Sequence, residues 1–404
     1  MPAHAANETK FLSASTHCER VMGRHVVDGN KGAIMVDWPG VRLEFRLISN
    51  TRSVAIRIKG RSACFGYRVV AQEKGNDERN HVNTDDAADK LVILSSGKEQ
   101  DYPLHDNLLN SNTTYKVSIW KRDDPINGGA IISGLVIDSD GNVQPNRKED
   151  GNLFQQPPNT RLLEFVGDSD TVGFGINGQK SGFLYFLCCQ MPCMTMAPSL
   201  RKSTDVTKSW AHLTARQLKA DYSVVAWSGI GAKYSPESNM PSMLESYATL
   251  LPSGKQKPIP PNEGSMLGPE PSAVILYIGQ NDEYADKSED KLQKGFAALL
   301  KKIREFRPSH IPIVVVAPAL DCNLACAFMG KKDNTAKAER QNRLWKAAVQ
   351  DLVDSNIHVV DHKHEPDIAL NSKEDFGICL HWNAASNLKF ANPLVPKLKK
   401  ILNW

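Results

Sequence analysis

The chain has 404 residues, of which 41% are hydrophobic and 23% charged, and its formal net charge is +4. A chain of that length and composition folds into two or three domains with real cores, which excludes a disordered protein. The charge is small and no basic cluster occurs, against a nucleic-acid binder, and no apolar run is long enough to span a membrane. The longest such run, Phe183 to Met196, is interrupted by Gln190 and Pro192.

The N-terminal stretch MPAHAANETKFLSAS lacks the basic and apolar regions of a secretory signal, so the protein is either intracellular or the sequence begins after processing. Asn7-Glu8-Thr9 and Asn112-Thr113-Thr114 would be glycosylation acceptors only in a secreted protein. The eight cysteines (Cys18, Cys64, Cys188, Cys189, Cys193, Cys322, Cys326 and Cys379) show no paired C-x-x-C spacing of a zinc site. Their even number permits disulfides, Cys322 with Cys326 among them, without requiring any.

From about Val21 to Ile137 short alternating runs predict strands. Val41, Leu43, Phe45 and Leu47 alternate with polar residues, and Val54 to Ile58, Tyr115 to Ile119 and Ala130 to Ile137 repeat the pattern. Turn residues separate them and no long helical pattern intervenes, as in an antiparallel β-sandwich. Alternation also buries Phe65, Tyr67 and Trp120, although such rings could contact carbohydrate. Asp138 to Thr160, rich in Asp, Asn, Gly and Pro, is a connector. The expected division is 1–140, a linker at 141–160, and 161–404.

After Arg161 the grammar changes. Buried strands are expected at Leu162–Val166, Ser223–Trp227, Ala273–Ile278, Ile313–Ala317 and His358–Val360, with helices at Lys208–Lys219, Lys291–Phe306 and Asn334–Val353. Alternating strands and helices give a parallel sheet covered on both faces. Pro393 and Pro396 predict two short helices at the C-terminus rather than one. Ser253 to Pro271 reads as a surface loop.

Four stretches fall at or beyond strand ends: Gly167-Asp168-Ser169, Ser228-Gly229-Ile230-Gly231, Gly279-Gln280-Asn281-Asp282, and His381 in DFGICLHWN. The carboxyl ends of neighbouring parallel strands share a rim, so these stretches can converge. A serine nucleophile needs a base, which histidine supplies near neutral pH. The developing oxyanion needs donors, which the N–H groups of Ser169 and Gly229 and the amide of Asn281 could provide. Each stretch alone is ordinary turn or capping chemistry; the ordered set over this strand pattern is not.

The order Ser, Gly, Asn, His resembles the SGNH (GDSL-type) hydrolases, and the chain more narrowly resembles carbohydrate esterase family 2. YKVSIWKRDDPINGGAIISGLVID is similar to that family's last sandwich strands, and SWAHLTARQLKADYSVVAWSGIGAKY to its helix, strand and second block. The resemblance implies a jelly-roll-like antiparallel β-sandwich followed by a three-layer α/β/α domain. It implies Ser169 as nucleophile, His381 as base, and Gly229 with Asn281 at the oxyanion hole. It also implies acetylated polysaccharide as substrate, no metal or organic cofactor, and no obligate protein partner. The location expected with it is outside the cell, with an intracellular one left open.

The chain departs from the family at several positions. SGNH enzymes carry an aspartate three residues before the histidine, where Ile378 stands, and Cys379 and Leu380 fill the gap in which family 2 places an acid. The expected arrangement is a Ser–His dyad whose ring is held by a backbone carbonyl near Ile378, with Asp375 as the rival orienter. Trp382 replaces a proline and could wall or stack a sugar ring, or simply pack. Gln280 replaces a threonine, and Asp170 follows the nucleophile, where it suits the positive end of a helix or could raise the histidine's pKa. Acyl transfer to a second sugar, or carbohydrate binding by a degenerate site, are the alternatives to deacetylation.

Two other patterns carry less. Gly173-Phe174-Gly175-Ile176-Asn177-Gly178 fits G-x-G-x-x-G but begins too far past its strand for a dinucleotide turn. His358, Asp361, His362, His364 and Glu365 contain metal-capable groups and read as a solvated loop.

Overall fold

A computed structural model describes residues 8–48, 51–72, 90–105, 109–110, 113–143, 160–178, 202–237, 239–254, 258–285, 287–317, 335–362, 375–378 and 381–404. The chain divides into two compact units, residues 1–158 with 250–256, and residues 159–249 with 257–404.

Alternating burial builds the first unit. Leu43, Phe45 and Leu47 are buried along Arg42–Leu47, as are Val54, Ile56 and Ile58 along Val54–Lys59. One antiparallel sheet runs His25–Asp28, Ala33–Val36, Ala130–Asp138, Val54–Lys59 and Glu99–Pro103, with Thr9–Ser13 also paired to Ala130–Asp138. The other runs Arg20–Met22, Arg42–Leu47, Tyr115–Lys121, Cys64–Ala71 and Lys90–Ile93. These are the layers of the expected β-sandwich. Phe65, Tyr67 and Trp120 are buried, as alternation requires. Cys18 and Cys64 are buried, and burial pushes the Cys18 thiol up to about 12.

In the second unit the strands are β1 (Leu162–Gly167), β2 (Asp221–Ala226), β3 (Ala273–Tyr277), β4 (Ile313–Val316) and β5 (Ile357–Val360). The helices are α1 (Ser169–Val172), α2 (Trp210–Gln217), α3 (Met243–Ser246), α4 (Glu289–Phe306), α5 (Thr335–Gln350) and α6 (Ala384–Leu402). All strand pairs are parallel, in the spatial order β2-β1-β3-β4-β5. The order reverses at β1, so the carboxyl ends of β1, β2 and β3 border the crevice in which such sheets bind ligands.

Both faces of the sheet are apolar, which explains the unbroken runs in these strands. Phe165, Tyr222, Val224, Ile275 and Tyr277 pack with Trp210 of α2 and Phe390 and Leu394 of α6. Helix α4 buries the predicted stripe of Leu292, Phe296, Leu299, Leu300 and Ile303, and Phe296 stacks on Trp345 of α5 with centroids 4.2 Å apart. Glu164, buried on β1, is matched by Arg307 at 2.5 Å and by the Tyr247 hydroxyl at 2.6 Å.

Two expectations are corrected. Residues 384–402 form one helix containing both Pro393 and Pro396, not two short helices. The prolines lie on partly or fully exposed positions, while Phe390, Ala391, Leu394, Val395 and Leu398 carry one buried face across them. His362 is 1% exposed, with its ring edge-on to Phe390 at 4.8 Å, so it belongs to the core rather than to a solvated loop. Phe183–Met196, His364, Glu365, Asn7, Asn112, Leu380 and the cysteines other than Cys18 and Cys64 lie outside the described residues, as does most of the connector.

Candidate active site

Strand β1 ends at Gly167, and Asp168 caps the short helix that follows. Its carboxylate accepts the Asp170 N–H at 3.3 Å, and its carbonyl accepts those of Thr171 and Val172, each at 3.1 Å. Ser169 therefore opens α1 at the rim of the sheet, 9% exposed. Asp170 occupies the first turn, the helix-end position expected of it.

His381 reaches the same point from 212 residues away: its Nε2 lies 2.8 Å from Ser169 Oγ. The loop that carries it is closed on itself. Gly377 N–H donates to the His381 carbonyl at 2.7 Å, His381 N–H to the Ile378 carbonyl at 3.2 Å, and Asn383 N–H to the Asp375 carbonyl at 3.1 Å. Phe376 and Trp382 bridge across this loop, and both are buried. Phe174, two residues beyond α1, sets its ring edge against the imidazole at 4.9 Å. A hydroxyl at this distance can hand its proton to the imidazole as the oxygen attacks.

Trp382 is not a platform for a sugar. It is 3% exposed and packs against Phe390 and Tyr277, with centroids 4.9 and 5.6 Å away, so no ring face is open to a ligand. Its bulk instead anchors the histidine loop in the core, which accounts for a tryptophan where the resemblance led to proline. Of the two candidate orienters, Asp375 binds Lys389 Nζ at 2.6 Å and takes a longer contact from Ser386 Oγ at 3.5 Å, both from α6. The Ile378 carbonyl accepts the histidine's own main-chain N–H.

The second and third stretches meet through Asn281. Its Nδ2 donates to the Ile230 carbonyl at 3.0 Å and approaches the Asp168 carboxylate at 3.5 Å. Ile230 follows Gly229, and Asp168 precedes Ser169, so one amide links the ends of β1, β2 and β3. Gly229 adopts φ +80°, a left-handed conformation that glycine takes without a Cβ penalty.

Asp282 is a residue whose part the sequence reading left unassigned. Fully buried, it accepts the N–H groups of Ala232 at 2.6 Å, Tyr234 at 2.8 Å and Lys233 at 2.9 Å. It thereby clasps the loop beyond Gly229 to the stretch that carries Asn281. Burial pushes its carboxyl up to about 6, against the three N–H bonds that favour the charge. A carboxylate directly after Asn281, at the end of a buried strand, was the available signal.

The G-x-G-x-x-G run also has a local purpose. Gly175 sits at φ +66°, its carbonyl accepts the Ile378 N–H at 3.1 Å, and a Cβ there would lie 2.9 Å from the Ile378 carbonyl oxygen. A Cβ at Gly178 would overlap the Ile378 side chain. The glycines let the serine and histidine segments meet at main-chain distance. Among the described residues no group of three or more His, Cys, Asp or Glu side chains is placed to hold a metal, and no helix is long and apolar enough to cross a membrane.

The sequence model of the GDSL-like Lipase/Acylhydrolase family matches residues 163–394. A cellulase/esterase, CelE, from Acetivibrio thermocellus is 26% identical over 207 residues, which is 50% of this chain and 21% of that protein. The chain thus matches only about a fifth of that relative's length. Among solved structures, a family two carbohydrate esterase from Cellvibrio japonicus superposes with TM-score 0.72 at 16% identity, covering 98% of this chain and 99% of the other. A family two carbohydrate esterase from Clostridium thermocellum in complex with cellohexaose gives TM-score 0.68 at 17% identity, covering 98% and 100%. At these identities the structural likenesses establish a shared fold.

Proposed function

Because the chain belongs to the GDSL-like lipase/acylhydrolase family, and so is a carboxylic ester hydrolase, we propose that it removes O-acetyl groups from carbohydrate with Ser169 and His381 as its working pair. The observation that carries the proposal is the 2.8 Å contact between His381 Nε2 and Ser169 Oγ at the carboxyl rim of a parallel sheet. Ser169 Oγ attacks the acetyl carbonyl while its proton passes to Nε2. Negative charge collects on the carbonyl oxygen, where the N–H groups of Ser169 and Gly229 and the Asn281 amide receive it. Collapse of the tetrahedral adduct breaks the bond to the sugar oxygen, which takes the proton back from the imidazolium. Water then repeats the sequence against the acetyl-enzyme, and acetate leaves with Ser169 restored.

The pair works as a dyad in this reading. The imidazole is held by the edge of Phe174 and by the closed loop from Asp375 to Asn383, and Asp375 serves α6. Support for a carbohydrate ester comes from the names of the relatives: an esterase joined to a cellulase, and two carbohydrate esterases with the same two-part fold, one holding cellohexaose. Acetylated polysaccharide is met outside cells, so the proposal carries an extracellular location with it.

The test is acetate release from acetylated xylan and acetylated glucomannan by the wild type and by Ser169→Ala, with circular dichroism to check the fold. We expect release by the wild type and a loss of ~10³-fold or more in the variant, as for removal of a nucleophile elsewhere. Release that survives in Ser169→Ala would refute the assignment of the serine. Hydrolysis of simple esters with none from either polysaccharide would refute the carbohydrate reading.

A further inference from the structure

Past the end of β3 the chain makes a short 3₁₀ turn, Asn281–Ala285. Such a turn has three residues per revolution, so its side chains fall on three faces and residues three apart lie one above the other. Two of the faces are committed. Asp282 turns to the N–H groups of Ala232, Lys233 and Tyr234, and Glu283 turns to α5, where its carboxylate meets Arg340 Nη1 at 2.7 Å. The third face carries Asn281 and, one revolution or about 6 Å further along, Tyr284. Asn281 reaches from that face to the Ile230 carbonyl and the Asp168 carboxylate, beside Ser169. Tyr284 thus stands on the same side of the turn, one step further out along the rim.

Its side chain is 69% exposed, although Asp282 and Glu283 pin the turn that carries it. Among the described residues one other aromatic side chain is exposed, Phe11, and the Arg57 guanidinium lies over that ring at 4.9 Å. The other described aromatic rings of the α/β unit are buried or half-buried, Trp382 among them. A single exposed apolar group is ordinary on a protein surface. What distinguishes Tyr284 is a rigid mounting, at the mouth of the site, that keeps a flat apolar ring in water instead of packing it.

We propose that Tyr284 is a substrate-binding residue, its ring a platform for the sugar next to the acetylated one, so that the enzyme acts on oligosaccharide and polysaccharide esters in preference to acetylated monosaccharides. The inference rests on the deacetylase reading. An acetyl group delivered to Ser169 fixes the esterified sugar at the rim, and the next sugar of the chain lies about a pyranose length away, comparable with the step from Asn281 to Tyr284. The face of a pyranose presents C–H groups while its hydroxyls point out from the edge. It can therefore cover an aromatic ring without burying an unpaired polar group. The contact lies away from the reacting atoms, so its loss should appear in KM more than in kcat.

The experiment takes wild type, Tyr284→Ala and Tyr284→Phe through two measurements. One is kcat/KM for acetylated xylo- and gluco-oligosaccharides against the corresponding acetylated methyl glycosides. The other is calorimetric binding of unacetylated xylohexaose and cellohexaose. In Tyr284→Ala we expect the oligosaccharide-to-monosaccharide ratio to fall about tenfold or more, through KM, and the hexaose that wild type binds to bind about tenfold more weakly. Tyr284→Phe, which keeps the ring face, should stay within about threefold of wild type in both. A ratio within twofold of wild type in Tyr284→Ala, whether both rates hold or both fall together, would overturn the platform. So would a loss in Tyr284→Phe as large as that in Tyr284→Ala, because the hydroxyl rather than the ring would then make the contact. Binding separates this inference from the reading on which it rests. Tyr284-dependent binding of a hexaose with no acetate release from any sugar ester sinks the deacetylase reading and leaves the platform standing, whereas neither binding nor release sinks both.

Discussion

Asp282→Asn tests whether the clasp behind Asn281 is both buried and functional. In the wild type one carboxylate oxygen takes the Ala232 N–H and the other takes those of Lys233 and Tyr234. Asparagine can keep the second oxygen, but its NH₂ group then faces the Ala232 N–H, donor against donor at a spacing of 2.6 Å. Leaving that N–H unsatisfied costs about 1–3 kcal/mol. Against this stands the cost that the wild type already bears. Its carboxyl is raised from 3.8 to about 6, so the folded state holds the proton more tightly than the unfolded one. The resulting stabilisation is complete below pH ~3.8 and is lost as pH rises through about 6, a change of roughly 3 kcal/mol at about 1.4 kcal/mol per tenfold. The variant lacks this group's titration. Urea unfolding from pH 4 to 7.5 should therefore show the variant's deficit relative to wild type shrinking by roughly 3 kcal/mol as pH rises. Turnover should fall about 10- to 100-fold at all pH values, because the loop beyond Gly229 is no longer held to the stretch bearing Asn281 and shifts of about 1 Å cost that much. A deficit independent of pH would refute the burial argument, and turnover within twofold of wild type would refute the clasp.

Gly175→Ala should disturb the serine–histidine pair without touching either residue. The φ of +66° costs an alanine about 1–2 kcal/mol, and its Cβ meets the Ile378 carbonyl oxygen at 2.9 Å. The histidine loop must move, so kcat on an aryl acetate should drop about 100-fold with a small fall in melting temperature, and a kcat within threefold of wild type would contradict the reasoning. Asp375→Ala should behave in the opposite way. Loss of its ion pair with the half-exposed Lys389 should lower stability by about 1 kcal/mol at most in urea titration, since Ser386 Oγ keeps its bond to the main-chain carbonyl, with turnover of the folded variant within tenfold of wild type. A loss of several orders of magnitude in a folded variant would make Asp375 a member of a triad.

Much of this architecture was legible because periodicity is a physical consequence of burial. Two-residue alternation at Arg42–Leu47 and the solid apolar runs at β1, β2 and β3 state how many faces of each strand meet a core, and the strands fall where the runs do. Helix α4 was equally plain from its stripe. The meeting of Ser169 with His381 was legible only through the order of four separated stretches and the family they resemble, since nothing near His381 announces a partner 212 residues away. What stayed hidden depends on tertiary packing. Trp382 looked available because a ring beside a reactive histidine could stack a sugar, yet the same apolar surface is more stable against Phe390 and Tyr277. The prolines of α6 looked disruptive because propensity counts the missing N–H, and not the buried face that holds the helix through them. Asp282 and Phe174 were missed because a residue that supports a site has no motif, only neighbours.

Those supporting neighbours bear on how the site manages with no acid at Ile378. In a serine–histidine–aspartate site the carboxylate does two things: it fixes the imidazole's orientation and it stabilises the imidazolium. In the proposed dyad the first task falls to main chain and packing. Gly175 and Ile378 are joined N–H to carbonyl, Gly377 and Ile378 bond to His381 itself, and Phe174 lies against the ring. The Ile378–Gly175 bond and the Phe174 ring tie the histidine segment to the serine segment, and the other two bonds close the histidine segment on itself. The second task is electrostatic and has no such substitute in packing. The cost of the arrangement should therefore fall on the charge separation in the transition state and spare the alignment of the pair. Substitutions along the glycine seam would then act on the alignment of the pair, as expected for Gly175→Ala, and leave the charge separation as it is.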